Sequence, residues 1–296
     1  MRIVRPVPVL ESNLISSTVP EDDHPQWVSG TTYTIGALVI RGHRIWEALL
    51  ESTDADPLLD DPTEPKWLDT GATNRWRMFD EKVGSTTDSD DPITVVIDPR
   101  AVVNAIAMFN LLARAVTLTM TDPVDGTIYD HVVRMVDTGA ADWYDYFLTP
   151  FERMTDFVLD DVPSYGSARL TITIDNAGAP VAVGHMAIGV LRDIGVALYG
   201  TSVGIIDYSR KEFDEFGTPI IVQRAFSKRA EFDVFVETEN LSRVQRMLSS
   251  IRATPVVWIG EKSIEATVLF GFYRDFSISI NGPTQSEATI TVEGLT

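Results

Sequence analysis

The feature that most constrains the fold is a series of short segments rich in β-branched residues, which starts at Ile93 and continues to the end of the chain. Turn residues separate these segments, as in Asp122-Pro123-Val124-Asp125-Gly126. Short strands must pair with neighbours and bury one face, so the pattern indicates packed sheets rather than a helical bundle. From residue 92 to residue 195 we predict a jelly-roll-like β-sandwich. Its predicted strands are 93–97, 115–121, 127–135, 156–159, 168–174 and 181–190.

The segment that follows Ile97 fits two structures. Asp98-Pro99 is typical of a helix start, with a capping residue before proline. Val103, Ala105, Ala107 and Phe109 alternate as they would in a strand. We favour the strand.

Residues 196–296 combine both periodicities and predict a small α+β domain. One segment places its apolar residues on a single helical face, and Thr254-Pro255 then ends the helix. These apolar residues are Leu241, Val244, Met247, Leu248 and Ile251. Strands are predicted around the helix at 220–225, 231–236, 256–259, 267–272, 276–280 and 289–292. One helix on an antiparallel sheet is the expected arrangement.

The N-terminal third is organised differently. Pro6 and Pro8 interrupt residues 1–25, which we expect to form an extended arm or an edge strand, because proline removes a ladder donor. Residues 26–83 hold most of the tryptophans and predict a small aromatic-rich module. The stretch from Gly84 to Pro92 is typical of a linker. The expected fold class is therefore mainly β, with this module, the β-sandwich and the α+β domain in that order.

Charge and cysteine usage exclude several function classes. The net charge of −19 opposes binding to nucleic acid, which depends on neutralising phosphates with Lys and Arg, and we also expect no membrane insertion. The absence of cysteine removes disulfides, thiolate zinc sites and cysteine nucleophiles. Residues 1–99 carry 18 acidic and 8 basic side chains, so we expect an exposed acidic periphery there. Synthesis in a reducing cytoplasm without a signal peptide is the simplest expectation.

Catalytic motifs are weak. Gly200-Thr201-Ser202-Val203-Gly204 has the Gly-x-Ser-x-Gly spacing of a hydrolase nucleophile, with Ser202 as the nucleophile, but no histidine follows it. The histidines share no ligand spacing, and acidic residues at 54, 56, 60 and 61 lack the pattern of a calcium loop. Asp142 and Asp145 form a carboxylate pair only in sequence. We expect no enzyme, no cofactor and no metal, and a hydrolase using Ser202 is a remote alternative.

The tryptophan-rich module resembles small chitin-binding-type carbohydrate-binding modules. The residues that carry the resemblance are Trp27, Tyr33-Thr34-Ile35-Gly36, Val39, Gly42, Ile45-Trp46 and Trp67. The resemblance implies a three-stranded sheet, with either a miniature aromatic core or rings that stack on sugars of the host surface. The candidate sugar-binding residues are Trp46, Trp76, Tyr33, Trp27 and Trp67. The loop before Trp67 departs from the family pattern, because it offers Leu58 and Leu59 instead of an aromatic ring.

The remainder, residues 93–296, resembles distal-tail or baseplate proteins of the tail tip of long-tailed bacteriophages. The motifs that carry the resemblance are Val183-Gly184-His185-Met186-Ala187-Ile188-Gly189, Asp207-Tyr208-Ser209-Arg210-Lys211, Asp214-Glu215-Phe216-Gly217, Thr254-Pro255-Val256-Val257-Trp258-Ile259-Gly260 and Val292-Glu293-Gly294-Leu295-Thr296. The resemblance implies a virion structural protein, assembled in the bacterial cytoplasm, whose copies form a ring between the tail tube and the adsorption apparatus. Its partners would be other copies, other tail proteins and, as an alternative function, a host glycan. Arg224, Lys228 and Arg229 are the candidate assembly contacts.

Overall fold

The computed structural model describes residues 1–137, 152–213 and 215–295. The fold is mainly β, as predicted. Asp142, Asp145, Asp214 and Thr296, which belong to patterns quoted above, lie outside the described residues.

The aromatic module forms a three-stranded sheet in the order β4-β5-β7, next to the short pair β3–β6. Its elements are β3 (Thr32–Tyr33), β4 (Leu38–Arg41), β5 (Arg44–Ala48), β6 (Ser52–Thr53), β7 (Trp67–Ala72) and the one-turn helix α1 (Asn74–Arg77). A 3-10 turn, Pro57–Leu59, lies in the loop before β7. The three-stranded module predicted from the tryptophan spacing is confirmed.

The middle of the chain forms the predicted sandwich. The elements of the arm and the sandwich are β1 (Arg2–Pro6), β2 (Leu14–Ser17), β8 (Thr87–Ser89), β9 (Ile93–Ile97), β10 (Ala105–Leu112), β11 (Ala115–Asp122), β12 (Gly126–Arg134), β13 (Val136–Asp137), β14 (Glu152–Arg153), β15 (Phe157–Leu159), β16 (Arg169–Asp175) and β17 (Val181–Asp193). A five-stranded sheet, β12-β11-β16-β9-β2, shares one core with β10 and β17 of a larger sheet. Strands β9, β11 and β16 alternate buried and accessible residues, which is why their periodicity was readable. Strand β10 is buried on both faces, which explains its nearly continuous apolar sequence.

The C-terminal region packs one helix on an antiparallel sheet, as predicted. Its elements are β18 (Val196–Ala197), β19 (Ser202–Asp207), β20 (Arg210–Phe213), β21 (Pro219–Val222), β22 (Phe226–Glu237), α2 (Leu241–Ser250), β23 (Val256–Ile259), β24 (Val268–Ile280) and β25 (Gln285–Gly294), with 3-10 turns at Thr238–Asn240 and Glu265–Thr267. Val244 and Leu248 of α2 are fully buried against Phe232 and Trp258. The two strands predicted at 267–280 are one strand with an irregularity after Tyr273.

The N-terminal arm occupies a different position from the one expected. β1 is a central strand of the 11-stranded sheet, which runs β15-β10-β17-β1-β23-β24-β25-β22-β18, with β8 pairing β17 and β19 pairing β22. Val4 pairs with Leu191 on one side and with Val257 on the other. The prediction of an edge segment is wrong for β1, because Pro6 falls on the last residue of the strand and Pro8 beyond it, so residues 2–5 keep their amide donors. It is confirmed for β2 of the same arm, which is the edge strand of the five-stranded sheet. β1 thereby joins the sandwich and the helix-bearing region into one sheet.

The segment read as a linker contains β8, which pairs with the start of β17. The buried hydroxyl of Thr87 accepts a hydrogen bond from the Met78 amide and donates one to the Asn74 carbonyl. Met78 is fully buried in the core of the sandwich, and its carbonyl accepts from the Met186 amide. The module is therefore packed onto the sandwich through this segment.

Candidate functional site

The module's aromatic residues form a small core. Trp67 is 3% exposed, and its ring meets that of Tyr33 edge-on at 5.4 Å. Trp27 and Trp46 are half-buried and pack against the same cluster. Trp67 Nε1 donates to the Ala55 carbonyl and Trp46 Nε1 donates to the Arg41 carbonyl, each at 3.0 Å, whereas the buried Trp27 Nε1 has no hydrogen-bond partner in the described structure. A three-stranded sheet of this size needs large rings to exclude water from its interior.

Arg41 covers one open side of this cluster. Its guanidinium lies 4.8 Å from the centre of the Trp27 ring and donates two hydrogen bonds to Asp56. These bonds lower the pKa of the Asp56 carboxyl. The carboxylate also accepts from the Leu58 amide at the start of the 3-10 turn. The ring that is best placed to stack on a ligand is thus already engaged by a cation.

Trp76 lies apart from that cluster. It is 9% exposed, with His43 stacked at 4.3 Å and Phe79 edge-on at 5.9 Å. The structure therefore brings four of the candidate sugar-binding residues together and leaves Trp76 outside the group. Stacking on a sugar requires an accessible ring face, and the burial of Trp67 and Trp76 is incompatible with that role.

The acidic loop before Trp67 uses its carboxylates to hold its own backbone. Asp54 accepts from the Ser29 hydroxyl, Asp61 accepts from the Thr63 amide and hydroxyl, and Asp60 accepts from the amides of Lys66 and Trp67. Among the described residues, no group of three or more His, Asp or Glu side chains is arranged to hold a metal ion. These carboxylates therefore act as turn acceptors.

Ser202 does not occupy a nucleophile elbow. It is exposed and is the first residue of β19, opposite Glu231 of β22. The elbow requires a strand, a sharp turn and then a helix, whereas here Gly200–Gly204 leads from a turn into a strand. The motif spacing is met without the structural context that would activate the hydroxyl.

The three basic residues proposed as assembly contacts have different surroundings. Lys228 forms an ion pair with the buried carboxylate of Asp156 and lies 3.9 Å from Glu265, so its charge is used within the chain. Arg229 is exposed on β22. Arg224 is exposed beside the end of β21, where its amide donates to the Ser209 hydroxyl. The ion pair of Lys228 with Asp156 arises from tertiary packing and leaves no local sequence signal.

An exposed apolar surface lies on the extension β19–β20–β21. Every residue of β20 and β21 is exposed, and these two strands pair with each other in a separate two-stranded sheet. Exposed apolar side chains continue from the extension to its base on β22: Ile205, Tyr208, Phe213, Ile220, Ile221, Val222 and Phe226. We call this set the hairpin surface. Sequence reasoning predicted a strand here but missed its exposure; the signal was the unbroken apolar run Ile220-Ile221-Val222 opposite the charged run Arg210-Lys211-Glu212.

Register assigns the hairpin side chains to two faces. Phe213 pairs with Pro219 and Lys211 pairs with Ile221, so Phe213 and Ile221 lie on the same face. Lys211 donates to Asp207 at 2.6 Å, which lowers the pKa of that carboxyl. Phe213 and Ile221 are 75% and 67% exposed. This face is chemically suited to bury apolar area against another protein surface.

A different junction contains a buried histidine. His185 of β17 is 4% exposed and pairs with Phe109, and its ring stacks on Phe270 at 4.1 Å. Neither ring nitrogen has a hydrogen-bond partner in the described structure. Burial lowers its pKa to about 4. The neutral imidazole therefore packs like an apolar side chain between the two halves of the large sheet.

Comparisons with protein families, with curated proteins and with solved structures found no match to this chain. In the described residues, no helix is long and apolar enough to cross a membrane. The function of this protein is therefore inferred from the surfaces of the molecule itself.

Proposed function

We propose that this protein is a structural component of a bacteriophage tail tip, in which copies associate into a ring that joins the tail tube to the adsorption apparatus. The observation that carries the proposal is the hairpin surface. Self-association would take place through this surface, in a virion assembled in the bacterial cytoplasm. The other partners would be neighbouring tail proteins.

The hairpin surface supplies a large part of the area that a stable contact needs. A two-stranded hairpin alone is marginally stable in water, and every strand residue of β20 and β21 is exposed. At 150–250 Å² for a fully exposed aromatic ring, the three aromatic side chains of the hairpin surface, which are 51–75% exposed, present about 300–450 Å². A standard interface uses roughly 800 Å² from each partner, to which the aliphatic side chains of the same surface would add. Covering this surface would stabilise both the hairpin and the assembly.

The rest of the fold suits a load-bearing role. β1 places the sandwich and the helix-bearing region in one continuous sheet. The buried carboxylate of Asp160 meets both Arg2 and Lys262, and Asp156 meets Lys228, so paired charges reinforce the same junction. A sheet that is continuous across the molecule transmits force without relying on a flexible linker.

The motifs behind the phage resemblance fall into two structural groups. Val183–Gly189 lies in β17 and Val256–Ile259 forms β23, the two strands that flank β1. Asp207–Lys211 lies at the base of the hairpin. The resemblance therefore concerns the central junction and the proposed contact.

The test is the oligomeric state of the intact chain, measured by analytical ultracentrifugation and native mass spectrometry over a range of concentrations. We expect concentration-dependent association that is lost when Phe213→Ser and Ile221→Ser are combined. The control is Val124→Ser, a smaller apolar-to-serine change at a 90% exposed turn residue remote in sequence, which should associate as the parent does.

A chain that stays monomeric at every concentration, or a hairpin variant that associates like the parent, would contradict the proposal. Immunogold labelling of purified phage particles tests the location separately. We expect the label at the tail tip, and particles that contain the protein elsewhere or not at all would refute the virion assignment.

A further inference from the structure

A second apolar feature lies at the opposite end of β19 from the hairpin. This cavity, of about 520 Å³, is bounded by Leu198, Tyr199, Val203 and Ile264 among others. Ser202 and Val203 begin β19 beside the cavity, and Asp207 ends it where the hairpin begins. At about 3.3 Å per residue, β19 alone separates the two features by roughly 17 Å.

We infer that the hairpin of one copy inserts the Phe213–Ile221 face into this cavity on the next copy. The inference rests on the proposed function and deepens it, because it names the receiving site and makes the contact heterologous. A protrusion and a cavity at opposite ends of the same strand are two different contact sites, as a head-to-tail ring requires.

The pairing of β19 with β22 and of β20 with β21 keeps the hairpin away from the cavity of its own chain. Asp207 pairs with Phe226, and Arg210 pairs with Val222, so β20 and β21 extend the β19–β22 pair outward. The Tyr208 amide donates to the Ala225 carbonyl between these two sections and keeps the extension continuous. Filling the cavity therefore requires a second molecule.

The cavity is suited to an apolar occupant. Its volume lies within the range of pockets that bury most of a small ligand. Tyr199 is fully exposed at its rim, and Ile264 and Val203 are about half exposed, so apolar area remains to be covered on this side too. Both contact faces would lose exposed apolar surface in the same event.

Charge is complementary at the edges of the contact. Glu261 is exposed at the cavity. On the hairpin side of the contact, Arg224 is exposed at the end of β21. Pairs of opposite charges at the rim of an interface set the orientation and the rate of association. Both matter for a contact that repeats around a ring, because each chain carries a strongly negative net charge.

The experiment mixes two defective variants of the full chain. The hairpin variant carries Phe213→Ser and Ile221→Ser, and the cavity variant carries Tyr199→Ser and Ile264→Ser. All four positions are more than half exposed, so both variants are expected to fold, which circular dichroism and thermal unfolding verify. Each variant alone should associate at least tenfold more weakly than the parent. Mixed, they should form a 1:1 heterodimer and nothing larger, because one intact hairpin then meets one intact cavity.

The outcomes separate the inference from the function on which it rests. A cavity variant that associates like the parent, while the hairpin variant does not, overturns the inference and leaves the proposed function standing. A mixture that yields no heterodimer also overturns the inference. A parent chain that never associates overturns both.

Discussion

Replacing His185 by phenylalanine should raise stability and remove one component of its pH dependence. In the parent, the imidazole is buried with both nitrogens unpaired, at a cost of about 1–3 kcal/mol for each buried polar group left without a partner. The phenyl ring is slightly larger than the imidazole, and the steric strain of fitting it into the same space offsets part of this gain. At pH 7.5, where the imidazole is neutral in both states, we expect a net increase in the free energy of unfolding of about 1–2 kcal/mol.

The pH dependence follows from the buried pKa of about 4 against an ordinary value of 6.5. Between these values the unfolded chain binds a proton that the folded chain does not, so the parent loses stability as the pH falls through this window. Linkage gives a loss of about 2 kcal/mol between pH 7.5 and pH 5 and about 3 kcal/mol by pH 4. The loss is present only below the unfolded pKa and is complete below the folded pKa.

Urea unfolding at pH 7.5 and at pH 5, followed by circular dichroism, measures both effects. Carboxylates titrate in the parent and in His185→Phe alike, so the difference between the two proteins isolates the histidine. The stability advantage of His185→Phe should widen by about 2 kcal/mol at pH 5. An advantage that is the same at both pH values would show that His185 is protonated as readily in the fold as outside it, and would refute the account of its burial.

Two further predictions test the central strand and the module core. Gly189→Ala should destabilise the fold by about 1–3 kcal/mol, because a Cβ there would overlap the carbonyl oxygen of Arg5 in β1. The control is Gly204→Ala, at a strand position with open space around it. Equal urea midpoints for the two variants would contradict the packing of β1. Trp67→Ala should cost about 3–5 kcal/mol and unfold the module first, detected as early proteolysis within residues 26–83. Leu59→Ala, at an 84% exposed position, is its control, and a Trp67 variant as resistant as this control would show that the ring is not a core residue.

The local sequence pattern was sufficient to predict the strands and the helix that bury one face. Strand Ile93–Ile97 and strand Val256–Ile259 were predicted with the observed bounds, and the helix from Leu241 was predicted from its apolar face. The aromatic spacing predicted the three-stranded module. In each case burial on one side imposes a period that the chain itself displays.

Local pattern was insufficient where an element's role depends on distant partners. The prolines near the N-terminus suggested an edge, yet β1 is central, because β17 and β23 are brought to its two sides only by the fold. The candidate sugar-binding rings could be named from the sequence, but their burial depends on how β4, β5 and β7 pack around them. Lys228 looked like a surface contact until Asp156, more than seventy residues away, was placed against it.

The sequence by itself thus determined the β class, the position of the helix and the composition of the aromatic module, since these follow from short-range periodicity and side-chain size. Only the tertiary structure decided which apolar strands are covered. Phe232 and Ile221 both belong to apolar segments of the same region, yet one is fully buried and the other is 67% exposed. The difference arises because the face of β22 that carries Phe232 packs in the core that also holds Val244 and Leu248 of α2, whereas β21 has only β20 beside it. Whether an apolar side chain serves as core or as contact surface is set by the neighbours that the fold supplies, and these are not encoded at any single position of the chain.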